Sequence, residues 1–135
     1  MTYLVAYIAS FIAFIIIDYL GLSYILKPLF QRHIGELMLE EFRIIPAALF
    51  YAFLIFVVMW FVGWPALDDG KSLVWVFGSA ALIGAASYGT YEFTSYAVMK
   101  DWSPVMVAVD VTWGTVVTGV TAVAGVAAVR ALGMA

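Results

Sequence analysis

Residues 1–21 read MTYLVAYIASFIAFIIIDYLG. Among aliphatic, aromatic and small side chains they hold one charged residue, Asp18. A bilayer-crossing helix needs about 20 mostly apolar residues, whereas a secretory signal has a basic start and a shorter apolar core. The stretch has no basic residue. It is therefore read as a retained first membrane span, and the fold class follows from it.

The same pattern recurs along the chain. Residues 2–26, 44–64, 72–98 and 104–132 are each long and apolar enough to span. The breaks are KPLFQRHIGELMLEEFR, PALDDGK and MKDWS. Pro65 and Pro104 mark helix boundaries, where proline costs least, and Pro46 falls in a first helical turn. The expectation is an all-α integral membrane protein. Its single domain, residues 1–135, would hold four transmembrane helices in an antiparallel bundle. The first break carries Leu29, Phe30, Ile34, Leu37, Met38 and Phe42 at helical spacing. Arg32, Glu36, Glu40 and Glu41 lie between them, which suits a short helix in the interface between helices 1 and 2.

Composition points the same way. The 135 residues are 66% hydrophobic and 11% charged, with a mean hydropathy of +1.07. A soluble domain averages about 25% charged residues. The net charge of -3 comes without a basic patch, so nucleic acid is not expected as a partner. The absence of cysteine excludes disulfides, thiolate metal sites and cysteine nucleophiles. No phosphate-binding glycine loop or serine–histidine–acid arrangement is present. The lone histidine, His33, reads as a solvated loop residue. No cofactor and no metal is expected. Lys27, Arg32, Arg43 and Lys100 fall in the first and third loops, against Lys71 and Arg130 on the other side. That bias places loops one and three in the cytoplasm.

Three acids lie well inside the spans: Asp18, Glu92 and Asp110. Each costs about 2.5–3.5 kcal/mol at the centre of a membrane helix, so each is a candidate functional group. At 1.5 Å per residue they sit roughly 12, 9 and 9 Å from the loop-one and loop-three side, nearly one layer. Asp110 shares a helical face with Gly114, Thr118, Thr121 and Gly125, a small-residue stripe that lets another helix approach. Glu92 shares a face with Gly78, Ala81, Ala85, Tyr88 and Tyr96. Asp18 shares one with Phe14, Gly21 and Ile25.

These faces predict a polar pocket holding Glu92, Asp110 and Asp18, lined by Tyr88, Tyr91, Thr94 and Trp113. Buried acids that cluster repel one another and lose hydration. At least one should carry a proton, or be balanced by Arg43, His33 or a bound cation. Trp60, Trp64, Trp75, Trp102, Tyr3 and Tyr96 lie near span ends and read as an interfacial belt.

Three functions remain open at this point. The first is a small proton- or cation-coupled transporter of a polar or cationic ligand, acting as a homodimer because one copy offers little pore surface. The second is a membrane-embedded enzyme, or enzyme partner, acting on lipid. The third is an accessory or structural subunit whose acids only hold helices together.

Several segments resemble a known family. These are IIIDYLGL followed by KPLF, then HIGEL, IPAALFY, YGTYEFTSYAVMKDW and VDVTWGT. In this order they are similar to the small bacterial membrane proteins grouped as domain of unknown function 2177. The resemblance implies a multi-pass protein of the bacterial inner membrane. It points to Asp18, Tyr88, Thr90, Tyr91, Glu92, Asp110, Trp113 and Gly114, and supplies no reaction. The family pattern has Asp and Asn where this chain has Glu92 and Ser95, and Trp where it has Gly21. An acid persists at position 92; a role specific to an amide at position 95 would not.

Overall fold

The structure is a computed structural model that describes residues 1–39 and 43–134. Four helices are long and apolar enough to cross a membrane. They are α1 (Thr2–Leu37), α2 (Ile44–Asp69), α3 (Leu73–Val98) and α4 (Pro104–Ala131). The described residues contain no strand.

Local chemistry sets several ends. The Ser72 hydroxyl accepts from the Trp75 amide at 3.1 Å and caps α3. Ser103 accepts from Val105 at 3.1 Å and caps α4, with Pro104 in its first turn, where no intrahelical N–H is needed. Gly70 ends α2 in the left-handed conformation, φ 66°, which glycine adopts without a Cβ penalty.

Two prolines behave differently from the boundary reading. α1 does not stop before Pro28, and α2 does not stop at Pro65. Each helix first widens into a π-helical turn, Leu22–Leu26 and Met59–Gly63, and then continues. A widened turn is one way to accept a ring and a missing N–H without ending a helix. The segment expected to form a separate interfacial helix is thus a direct extension of α1, Lys27–Ile34. Its Leu29, Phe30 and Ile34 pack on Trp102, Met106 and Val107 at the start of α4, while Gln31, Arg32 and His33 stay exposed. Glu40, Glu41 and Phe42 of that expectation lie outside the described residues.

α4 is the centre of the bundle, packed between α3 and α1. It buries Gly114, Thr118, Thr121 and Gly125 along one side. The small residues are filled by neighbours. A Cβ on Gly125 would meet Ser10 of α1, and one on Gly84 would meet the Gly114 carbonyl and Thr118. Backbones approach closely there, as small residues allow in membranes.

On α3 the buried side is Val76, Ala80, Ala81, Gly84 and Glu92. Gly78 and Tyr96 are exposed, so the inward face is rotated from the one expected. The crossing at Gly84 decides this. On α1, Phe14, Asp18 and Gly21 face inward with Ala6 and Ser10, whereas Ile25 faces out.

At the loop-two side, Tyr3 stacks on Trp64 with centroids 4.9 Å apart, and its hydroxyl donates to Asp68. Arg130 donates to the Lys71 carbonyl at 2.6 Å. Outward faces are apolar: Ile8, Ile12 and Ile16 on α1, and Phe53, Trp60 and Phe61 on α2. In water these faces would be a large liability; in a bilayer they meet lipid tails.

Candidate functional site

At the loop-one and loop-three end the bundle contains a cavity of about 760 Å³. Its apolar walls come from Leu22, Leu26, Phe30 and Ile34 of α1 and Phe50 of α2. Its polar groups are Asp18, Tyr51, Ser87, Tyr88, Thr90, Tyr91 and Asp110, with Lys27 also on the wall. The volume falls within the range of roughly 300–1,000 Å³ typical of small-molecule pockets. Three wall residues, Phe50, Tyr91 and Leu37, are 50%, 52% and 65% exposed, so the cavity is not sealed from the outside of the bundle.

Asp18 is 2% exposed. Trp113 Nε1 donates to its Oδ1 at 3.2 Å, a contact between α4 and α1. Gly21 makes that contact possible, because a Cβ there would run into the Trp113 ring. The Tyr51 hydroxyl lies beside the same carboxyl group. The other oxygen, Oδ2, is buried without a hydrogen-bond partner among the described residues.

Asp110 reaches the cavity from α4 and is 5% exposed. Tyr88 packs over Gly114 one turn further along α4 and closes the cavity beneath the acids.

Glu92 is placed differently from the other two acids. It is fully buried and does not line the cavity. Trp102 Nε1 donates to its Oε1 at 2.9 Å. Its other oxygen, Oε2, is buried without a hydrogen-bond partner among the described residues, and the Asp110 carboxyl lies near enough for the two groups to interact. Two ionised carboxylates cannot donate to each other, so this contact is a hydrogen bond only when one of them carries a proton. Asp18 and Asp110 therefore line the cavity, and Glu92 does not. The three acids do not converge on a point, and no group of three metal-ligating side chains forms among the described residues.

Of the remaining expected residues, Tyr88, Thr90 and Tyr91 line the cavity, and Trp113 stands behind Asp18. The Thr90 hydroxyl is engaged, donating to the Ala86 carbonyl at 2.7 Å, and Ser87 donates likewise to Ile83 at 2.8 Å. Thr94, expected as a wall, is exposed and away from the cavity. Arg43 and His33, offered as balancing cations, are also exposed.

Two residues went unassigned in the sequence. Tyr51 is seven residues into α2, roughly 10 Å deep, the same layer as the acids; depth alone would have found it. Trp102, read as an interfacial anchor, is 6% exposed and in edge-on contact with Phe30 and Tyr91. Nothing in MKDWS separates such a tryptophan from a belt residue.

No curated protein and no solved structure matches this chain. Residues 3–127 match the family described as predicted membrane protein (DUF2177), and the chain belongs to that family.

Proposed function

We propose that this multi-pass membrane protein is a small proton- or cation-coupled carrier of the bacterial inner membrane, working with loops one and three in the cytoplasm. The observation that carries the reading is the cavity itself. Two buried carboxylates from different helices, Asp18 and Asp110, line a space walled otherwise by apolar side chains, tyrosines, the hydroxyls of Ser87 and Thr90, and Lys27. Intramembrane acids that reach a cavity suit ion and proton exchange. Glu92 gives Asp110 a partner with which to share a proton when the cavity is empty. A cationic ligand against Asp110 would displace that proton, which couples the two. The apolar outer faces allow a second copy to complete the translocation path.

Two bonds favour the structural reading for individual acids: Trp102 ties loop three to Glu92 on α3, and Trp113 ties α4 to Asp18 on α1. The cavity acids have no such tie to the third loop.

The test is proton movement in proteoliposomes loaded with a pH-sensitive dye. The panel comprises tetramethylammonium, guanidinium and dodecylguanidinium, all permanently charged. A gradient of at least one should drive proton flux above that of protein-free liposomes, and Asp110→Asn should remove it. Flux from no panel member, or flux retained in Asp110→Asn, overturns the carrier reading.

A further inference from the structure

We propose that the cavity takes an amphipathic cation bearing N–H donors, a long-chain ammonium or guanidinium, which enters sideways from the lipid between α2 and α3. The inference rests on the carrier reading for its biological setting, but its geometry stands separately. Three observations meet at this site.

The first is the deep end. Asp18 Oδ2 is buried without a hydrogen bond among the described residues, with the Tyr51 hydroxyl beside the carboxyl group, while its sister oxygen accepts from Trp113. A carboxylate held by one oxygen presents the other in a set direction. The group that satisfies it must donate a hydrogen bond, and a cationic donor does so most strongly. A quaternary ammonium has no N–H to offer.

The second is the wall. Leu22, Leu26, Phe30, Ile34 and Phe50 carry no polar side-chain atoms and form a continuous apolar lining. A bare small cation would bury against them without gain. An alkyl or aromatic body gains about 25 cal/mol per Å² of apolar surface removed from water. The tyrosine rings of Tyr51 and Tyr88 stand beside the acids and add cation–π attraction.

The third is the arrangement of charge along the cavity. Two carboxyl groups, Asp18 and Asp110, line the cavity. A cationic head is drawn to these carboxyl groups. An anionic head would be repelled by them. Phe50 and Tyr91 line the cavity and are half-exposed on the outer faces of α2 and α3, so entry between them would admit a molecule that already resides in the bilayer with its tail among lipid chains.

The experiment is binding to the whole protein in phosphatidylcholine nanodiscs at pH 7. The readout is the fluorine resonance of 5-fluorotryptophan at Trp113, whose N–H touches Asp18. The probes are dodecylguanidinium, dodecyltrimethylammonium, guanidinium alone and dodecyl sulfate, compared at equal bilayer content, with empty nanodiscs as the partition control. Dodecylguanidinium should give a saturable shift. The other three should bind at least tenfold more weakly, and Asp18→Asn should weaken dodecylguanidinium at least tenfold while Asp18→Glu restores part of it. Should Asp18→Asn not fold, Leu22→Trp must produce a similar loss by filling the apolar wall. Equal binding of dodecyltrimethylammonium or dodecyl sulfate, or full affinity in Asp18→Asn or Leu22→Trp, overturns the inference. Failure of the carrier reading would look different: binding would be intact with no proton flux.

Discussion

Trp102 donates its indole N–H to Glu92 across 2.9 Å, joining the third loop to a carboxyl group that is wholly buried on α3. The bond is local in sequence, ten residues apart, yet it spans the turn between α3 and α4. Replacing Trp102 by Phe keeps an aromatic ring and removes the donor. Glu92 Oε1 is then stranded, at a cost of about 1–3 kcal/mol. Glu92→Gln keeps an acceptor for Trp102 and gains a donor toward Asp110, so its stability should stay within about 1 kcal/mol of the parent. Unfolding midpoints in mild detergent check both; a Trp102→Phe protein as stable as the parent would contradict the first.

Gly114 and Gly78 separate packing from helix propensity. A side chain at 114 meets the Tyr88 ring, whereas one at 78 meets open space. Gly114→Val should destabilise by about 1–3 kcal/mol through overpacking. Gly78→Ala should stabilise by about 0.5–1 kcal/mol, because alanine loses less backbone freedom in a helix. Detergent-denaturation curves of the two variants should move in opposite directions.

Gly21 admits the Trp113 ring. Gly21→Ala should push the indole off Asp18, since the added methyl collides with the ring. In 5-fluorotryptophan-labelled protein, the resonance that disappears in Trp113→Phe should shift in Gly21→Ala, and the other tryptophans should stay nearly unmoved. An unchanged Trp113 signal would show that the contact with Asp18 does not need the glycine.

Divalent cations should do little. Asp18 and Asp110 share the cavity while Glu92 faces Trp102, and the described residues offer no three-ligand group. Hard ions want at least six oxygen ligands. Adding Mg²⁺ or Ca²⁺ at about 1 mM, or a chelator, should leave the melting temperature unchanged. A saturable rise of several degrees would point to a metal site that these side chains do not form alone.

Much of the fold was legible in the chain because bilayer solvation acts on composition directly. A run such as residues 1–21 can satisfy its backbone in lipid only as a helix, and its length matches the bilayer. The depth of Glu92 and Asp110 followed from the rise per residue and helix ends at Val98 and Pro104; that of Asp18 did not, because α1 continues past residue 26 to Leu37. The direction of a helical face was less secure. On α3 nearly every position is apolar or small, so periodicity could not distinguish the Gly78–Tyr96 side from the Val76–Gly84 side.

The sequence by itself determined the membrane class and the four helices, since these depend on hydrophobic length and helical rise. Only the tertiary structure decided what each acid touches. Rotation of α3 about its axis is set by the contact of Gly84 with Gly114 and Thr118, and that contact turns Glu92 toward Trp102 while Asp18 and Asp110 keep the cavity. The π-helical turn before Pro28 likewise carries α1 onward over Trp102 and gives the cavity its Phe30 and Ile34 wall. Both outcomes come from side chains far apart in the chain meeting at one crossing, and local sequence patterns hold no record of such meetings.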